Sequence, residues 1–136
     1  MKRKSRACGE CGDWSQEFGP EDFTVEHRGL TTVVPALKGW RCGTCGEVEF
    51  DDESAERYAA AGDALVVQAR EQMAAEIREL RKSLKLTQVQ ASRLTGGGPN
   101  AFSRYERGEV QPLPAVVNLL RILARHPELL REIRTA

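Results

Sequence analysis

The sequence predicts an α+β protein of two unlike units, a small metal-bound antiparallel β-rich domain followed by an all-α helix-turn-helix domain. Three observations carry this. All four cysteines and both tryptophans lie in the first half, and residues 53–85 are proline-free and rich in Ala, Glu, Gln and Arg. The formal net charge of zero hides a split near Asp63, with 8 Lys+Arg against 13 Asp+Glu up to that residue and 12 against 7 after it. Halves of opposite sign prefer partners of opposite sign.

A chain of 136 residues, 40% hydrophobic and 29% charged, fits one medium domain or two small ones, each with only a modest core. No apolar run reaches the roughly eighteen residues of a membrane span, and the basic start "MKRKSRACGECGDW" has no apolar segment behind it. The expectation is a soluble cytoplasmic protein that does not bind membranes.

Between Cys11 and Cys42, "TVEHRGLTTVVPALKGWRC" sets β-branched runs against breaks at Arg28-Gly29, Pro35 and Lys38-Gly39. This pattern predicts short antiparallel strands joined by turns. At its ends stand "CGECG" (Cys8, Cys11) and "CGTCG" (Cys42, Cys45), near repeats of one another. A Cys-x-x-Cys turn offers two thiolates to one metal, and two such turns complete a tetrahedral four-sulfur site.

Zinc suits that donor set, and iron of the rubredoxin type is its chemical rival. One Zn2+ per chain with all four positions filled by protein leaves no room for water, so the expected role is structural. A redox pair would call for a single Cys-x-x-Cys in a βαβ unit, and two disulfides for an oxidising compartment. His27 and His126 lack ligand spacing to either pair and read as surface histidines.

Residues 1–62 are accordingly assigned to the metal-binding domain, 63–75 to a linker of helical composition with its weak point at Gly62-Asp63, and 76–136 to the helix-turn-helix domain. Ile77, Leu80 and Leu84 recur with helical spacing. Thr87 followed by Gln90 is a capping-box signature, so a new helix starts there, with Val89, Ala91 and Leu94 as its packing positions and Gly96–Gly98 as its end. Pro99 suits the first turn of the next helix.

On that helix Asn100, Ser103, Arg104 and Arg107 share an arc of about 100°, and Ala101, Phe102 and Tyr105 face away. Such a face fits the DNA major groove, where arginine pairs with guanine and asparagine with adenine. The preceding helix start at Thr87 and Gln88 would meet a phosphate. The wheel alone also describes a solvated face on an ordinary helical bundle. A phosphate-binding nucleotide loop is excluded, because "GGGPNAFS" lacks the required spacing and lysine and follows a helix.

In "AVVNLLRILARHPELLREIR" eight of the ten residues from Ala115 to Ala124 are apolar, more than one stripe needs. Either a core helix of a monomer or the interface of a homodimer explains this, and a two-fold dimer would read a palindrome. No nucleophile, base and orienting partner occur together at recognisable spacing, so the chain is not expected to be an enzyme.

The two cysteine pairs, "RGLTTV", "GWRCGTCGE" and "GGGPNAFSRYERG" together resemble the MqsA (YgiT-type) antitoxins over nearly the whole chain. The resemblance implies an antitoxin of a type II toxin-antitoxin system. Its N-terminal domain would bind zinc through Cys8, Cys11, Cys42 and Cys45 and block a cognate toxin, a basic mRNA-cleaving ribonuclease. Its Xre-type, lambda-repressor-like C-terminal domain would dimerise and repress its own operon at a palindromic double-stranded DNA operator. Carried over by motif, Asn100 and Arg104 are the base-reading residues, and Thr87, Gln88, Ser103 and Arg107 support them. Two features depart from the family pattern: the helical composition of 63–75 and the basic extension "MKRKSRA", expected to be a loose tail. The alternative is a stand-alone zinc-containing repressor with no toxin partner.

Overall fold

The computed structural model describes residues 6–133, so residues 1–5 of the basic extension lie outside the described residues. The chain divides into two compact units between Val67 and Gln68, inside helix α1 (Asp52–Ser83). Residues 63–75 are therefore helical, and so is the weak point expected at Gly62-Asp63. A glycine costs a helix only about 1 kcal/mol, and the 32 residues of this one are mostly good helix formers.

In the first unit, β1 (Gln16–His27) and β2 (Leu30–Cys42) form an antiparallel hairpin, and β3 (Val48–Phe50) adds to β2. The short strands expected from the sequence are in fact two long ones, because only one of the three breaks is a turn. Arg28 and Gly29, with φ of 49° and 79°, make the two-residue connection whose twist matches the strands. Pro35, which has no N–H for the ladder, sits instead in a bulge where Pro35 and Ala36 stand opposite Asp22. The Asp22 carboxylate accepts the Ala36 N–H at 2.8 Å, and Arg57 donates to the Pro35 carbonyl at 2.7 Å.

Gly39, the third expected break, continues β2 opposite Phe50. A Cβ there would lie 2.7 Å from the Glu49 carbonyl oxygen, so glycine is what lets β3 close on β2. The core of this unit is Leu37, Val25, Val34 and Leu65, with Phe23, Leu30, Phe50 and Ala61 packed around them. The start of α1 is tied to the sheet by Ser54. Its N–H donates to Asp51 and its hydroxyl accepts the Lys38 N–H, both at 2.8 Å.

The second unit packs the end of α1 against α2 (Gln88–Thr95), α3 (Ala101–Glu106) and α4 (Pro114–Arg125), with a 3-10 turn at Pro127–Glu132. Its core is Ile77, Leu84, Ala91, Phe102, Val117, Leu120 and Leu123. The Thr87 capping box is formed in full, satisfying two N–H groups that a helix start would otherwise leave open. Of the expected packing positions on α2, Ala91 is buried and Leu94 packs on the core, whereas Val89 is exposed. Ser92 is fully buried, and its hydroxyl accepts the Phe102 N–H at 3.2 Å, joining α2 to α3.

The apolar excess on α4 is real in three dimensions. Val117, Leu120 and Leu123 face inward, while Ile122 and the preceding Leu113 are 45% and 67% exposed. Among the described residues no helix is long and apolar enough to cross a membrane.

Candidate metal centre and nucleic-acid interface

Two turns with the same hydrogen bonds build the metal centre. In the first, the Cys8 N–H donates to the Asp13 carbonyl at 2.8 Å and the Gly12 N–H to the Cys8 carbonyl at 2.9 Å. In the second, Cys42 N–H bonds the Glu47 carbonyl at 2.9 Å and Gly46 N–H the Cys42 carbonyl at 3.0 Å. Each closes with a glycine at positive φ, 75° for Gly12 and 77° for Gly46, which explains the glycine after the second cysteine of each pair.

The four Sγ atoms of Cys8, Cys11, Cys42 and Cys45 lie within 4.8 Å of one another, although 30 residues of chain separate the pairs. Cys8 to Cys45 is 3.7 Å and Cys11 to Cys42 is 3.6 Å. A tetrahedron with zinc–sulfur bonds of about 2.3 Å has edges of about 3.8 Å, so the residues present fit one tetrahedral dication.

The surroundings of the four thiols are unequal. Backbone N–H groups of Cys11 and Glu10 lower the Cys8 thiol. The Cys45 N–H, the Ser15 hydroxyl and the Thr44 N–H draw Cys42 down to about 6. The Asp13 N–H favours the Cys11 thiolate, but burial and neighbouring sulfurs outweigh it and the thiol is raised. The Glu47 N–H acts likewise on Cys45, yet burial and its three sulfur neighbours push that thiol up to about 12. Backbone and hydroxyl donors thus favour the thiolate at Cys8 and Cys42, while burial and neighbouring sulfurs oppose it at Cys11 and Cys45.

Around the sulfurs, Ser15 Oγ lies 3.6 Å from Cys42 Sγ and 3.0 Å from the Thr44 hydroxyl, which donates to Asp13 at 2.5 Å. The Ser15 and Thr44 hydroxyls hold the Asp13 carboxyl below its usual range. Sequence reasoning missed this ring, because residues 13, 15 and 44 are joined only once the two turns meet. It stiffens the ligand turns from outside, as outer hydrogen bonds do in metal sites.

In the helical unit, α2 ends at Gly96, with φ of 76°, and both the Gly96 and Gly97 N–H groups reach the Ser92 carbonyl. Pro99 does not open α3 as expected. The Ala101 N–H bonds the Gly98 carbonyl, and Asn100 has φ −101° and ψ 1°. These are the marks of a tight turn with proline in its second position. Asn100 is therefore the cap of α3 rather than a residue within it, and its side chain makes no capping bond.

Asn100, Arg104 and Arg107 are exposed and Ser103 is half-buried, while Phe102 is fully buried and packs on Tyr105 at 5.5 Å between ring centres. Phe102 thus faces inward and the two arginines outward as expected, whereas Ser103 is half-buried like Ala101 and Tyr105. Thr87 and Gln88 stand at the start of α2 as expected, but the Gln88 side chain is not free. Its amide donates to the Glu106 carboxylate at 3.0 Å, so an anion at this helix start would meet backbone N–H groups instead.

Glu106 carries no signal of its role in the sequence. Its side chain is 1% exposed and accepts Arg81 Nε at 2.5 Å and Nη2 at 3.1 Å, with Arg78 Nε at 3.5 Å. Burial opposes its ionisation, yet the hydrogen bonds from Arg81 and Gln88 and the Arg81 charge prevail, holding the carboxyl below its ordinary value. Arg81 also donates to the Leu86 carbonyl at 2.9 Å. One carboxylate at the end of α3 thereby fixes α1, the α1–α2 connection and the first residue of α2.

A family described as "Antitoxin component of bacterial toxin-antitoxin system, MqsA" matches residues 6–134. The antitoxin MqsA of Escherichia coli (strain K12) is 40% identical over 129 residues, 93% of this chain and 98% of that protein. Among solved structures, the N-terminal domain of the E. coli protein MqsA covers 47% of this chain and 96% of its own, with 23% identity and a TM-score of 0.41.

Proposed function

Because the chain belongs to the MqsA family, antitoxin components of bacterial toxin-antitoxin systems, we propose that its two units divide the work of neutralisation and autorepression. The residue-1-to-62 region holds one structural Zn2+ through Cys8, Cys11, Cys42 and Cys45 and binds a cognate toxin. That toxin is a basic, mRNA-cleaving ribonuclease, in keeping with the acidic balance of 8 Lys+Arg against 13 Asp+Glu up to Asp63. The helical unit binds a palindromic operator in the cytoplasm as a homodimer. Asn100 and Arg104 read bases, Ser103 and Arg107 support them, and the start of α2 at Thr87 and Gln88 meets a phosphate.

The observation that carries the DNA reading is the exposed, polar face of Asn100, Arg104 and Arg107, held by a buried Phe102 beside a fully capped α2 start. The exposed Leu113 and Ile122 give the dimer an apolar contact.

Co-expression with the gene adjacent to this one tests the antitoxin role. The full chain restores growth arrested by that gene product, and the two co-purify. A neighbour that is harmless, or whose toxicity the full chain leaves untouched, favours the stand-alone repressor instead.

A further inference from the structure

We propose that Glu109 is a specificity-determining residue of the DNA-reading face, holding Arg107 while leaving Arg104 free to test base edges. This rests on the DNA-reading role proposed above. Gly108, at φ 71°, turns the chain so that the Glu109 N–H bonds the Arg104 carbonyl at 3.0 Å, which sets the Glu109 carboxylate over the end of α3. From there it meets both arginines unequally. Arg107 is gripped twice, by Nε at 3.0 Å and Nη2 at 3.2 Å, whereas Arg104 makes a single long contact at 3.8 Å.

All three side chains are at least half exposed, at 55% for Arg104, 58% for Arg107 and 50% for Glu109. Ion pairs so exposed add little to stability, and so folding does not account for the arrangement. Its consequence is electrostatic. The end of α3 meets a polyanion with one net positive charge instead of two. A duplex of the wrong sequence is bound by charge alone and feels that loss in full. A matching base edge, such as guanine O6 and N7, offers Arg104 two directed hydrogen bonds that one long contact with Glu109 cannot rival. Glu109 therefore penalises wrong sequences more than the right one.

The test uses the full chain and two duplexes, the sequence that the unaltered chain enriches from a randomised pool and a shuffled sequence of the same composition. Glu109→Gln tightens the shuffled duplex about three- to tenfold at low salt, steepens its log K against log salt slope by about 0.9, and tightens the enriched duplex less. The ratio of the two affinities falls. Glu128→Gln, which removes an exposed carboxylate elsewhere in the same unit, lowers the ratio less. An unchanged ratio in Glu109→Gln, or an equal fall in Glu128→Gln, overturns the inference while leaving the DNA-reading role standing. If the unaltered chain enriches no sequence at all, that role fails and this inference with it.

Discussion

Removing the Glu106 carboxylate is the sharpest structural perturbation of the helical unit. The group is 1% exposed, and the guanidinium it chiefly serves, that of Arg81, is only 13% exposed. In Glu106→Ala that cation remains buried without its counter-charge, and the Gln88 amide loses its acceptor as well. Breaking one side of a buried pair costs about 3–5 kcal/mol. The Arg78 contact, at 3.5 Å from a half-exposed side chain, adds little. Glu106→Gln keeps one acceptor but presents an amide N–H toward Arg81, for a loss of about 1.5–3 kcal/mol.

Urea unfolding of the full chain followed by helical circular dichroism measures both, the alanine variant shifting the midpoint further at an unchanged slope. The pH dependence follows from the lowered carboxyl. A carboxylate whose folded-state pKa is depressed contributes fully above its unfolded value near 4.5, and that contribution is lost as pH falls through the lower folded value. The gap between Glu106→Gln and the unaltered chain is thus full at neutral pH and closes in acid. A loss under about 1 kcal/mol in Glu106→Ala, or a gap that widens as pH falls, would mean that Glu106 and Arg81 do not act as a buried ion pair.

Further outcomes concern the two sites. Arg104→Ala and Asn100→Ala each cost about 1–3 kcal/mol on the enriched duplex and relax its sequence preference; equal weakening on a shuffled duplex would make them phosphate contacts. Thr87→Ala removes the α2 cap and lowers stability by about 1 kcal/mol in the same urea assay, and an unchanged midpoint would contradict the cap's role. Gly39→Ala drives a Cβ into the Glu49 carbonyl. It costs the sheet about 1–3 kcal/mol, read by urea unfolding with zinc present, and a neutral effect would mean that β3 need not lie so close.

The sequence displays those features whose chemistry is local. The paired Cys-x-x-Cys turns, the Thr87 and Gln90 cap, the glycine exit at Gly96 and the inward Phe102 each depend on a few neighbouring residues. Pro35 and Gly39 misled because breakers punctuate a strand only when nothing accommodates them. A bulge opposite Asp22 takes the proline, and an approaching strand requires the glycine. Pro99 serves a tight turn before the helix instead of the helix's first turn, and its fixed φ suits both. Glu106 was invisible because its partner Arg81 is 25 positions away and a glutamate on a short helix ordinarily faces solvent. The Ser15, Thr44 and Asp13 ring was hidden for the same reason.

On the function proposed above, a four-sulfur centre holds the first unit together while the helical unit binds DNA. Hydrogen exchange of the full chain bound to its enriched duplex, with and without a zinc chelator, tests it most directly. Chelation should release the amides of β1, β2 and β3, while the protection of α2, α3 and α4 and the binding of the duplex persist. Loss of protection in both units together would show that the helical unit depends on the metal, and no change in the strands would show that the sulfurs do not hold the sheet.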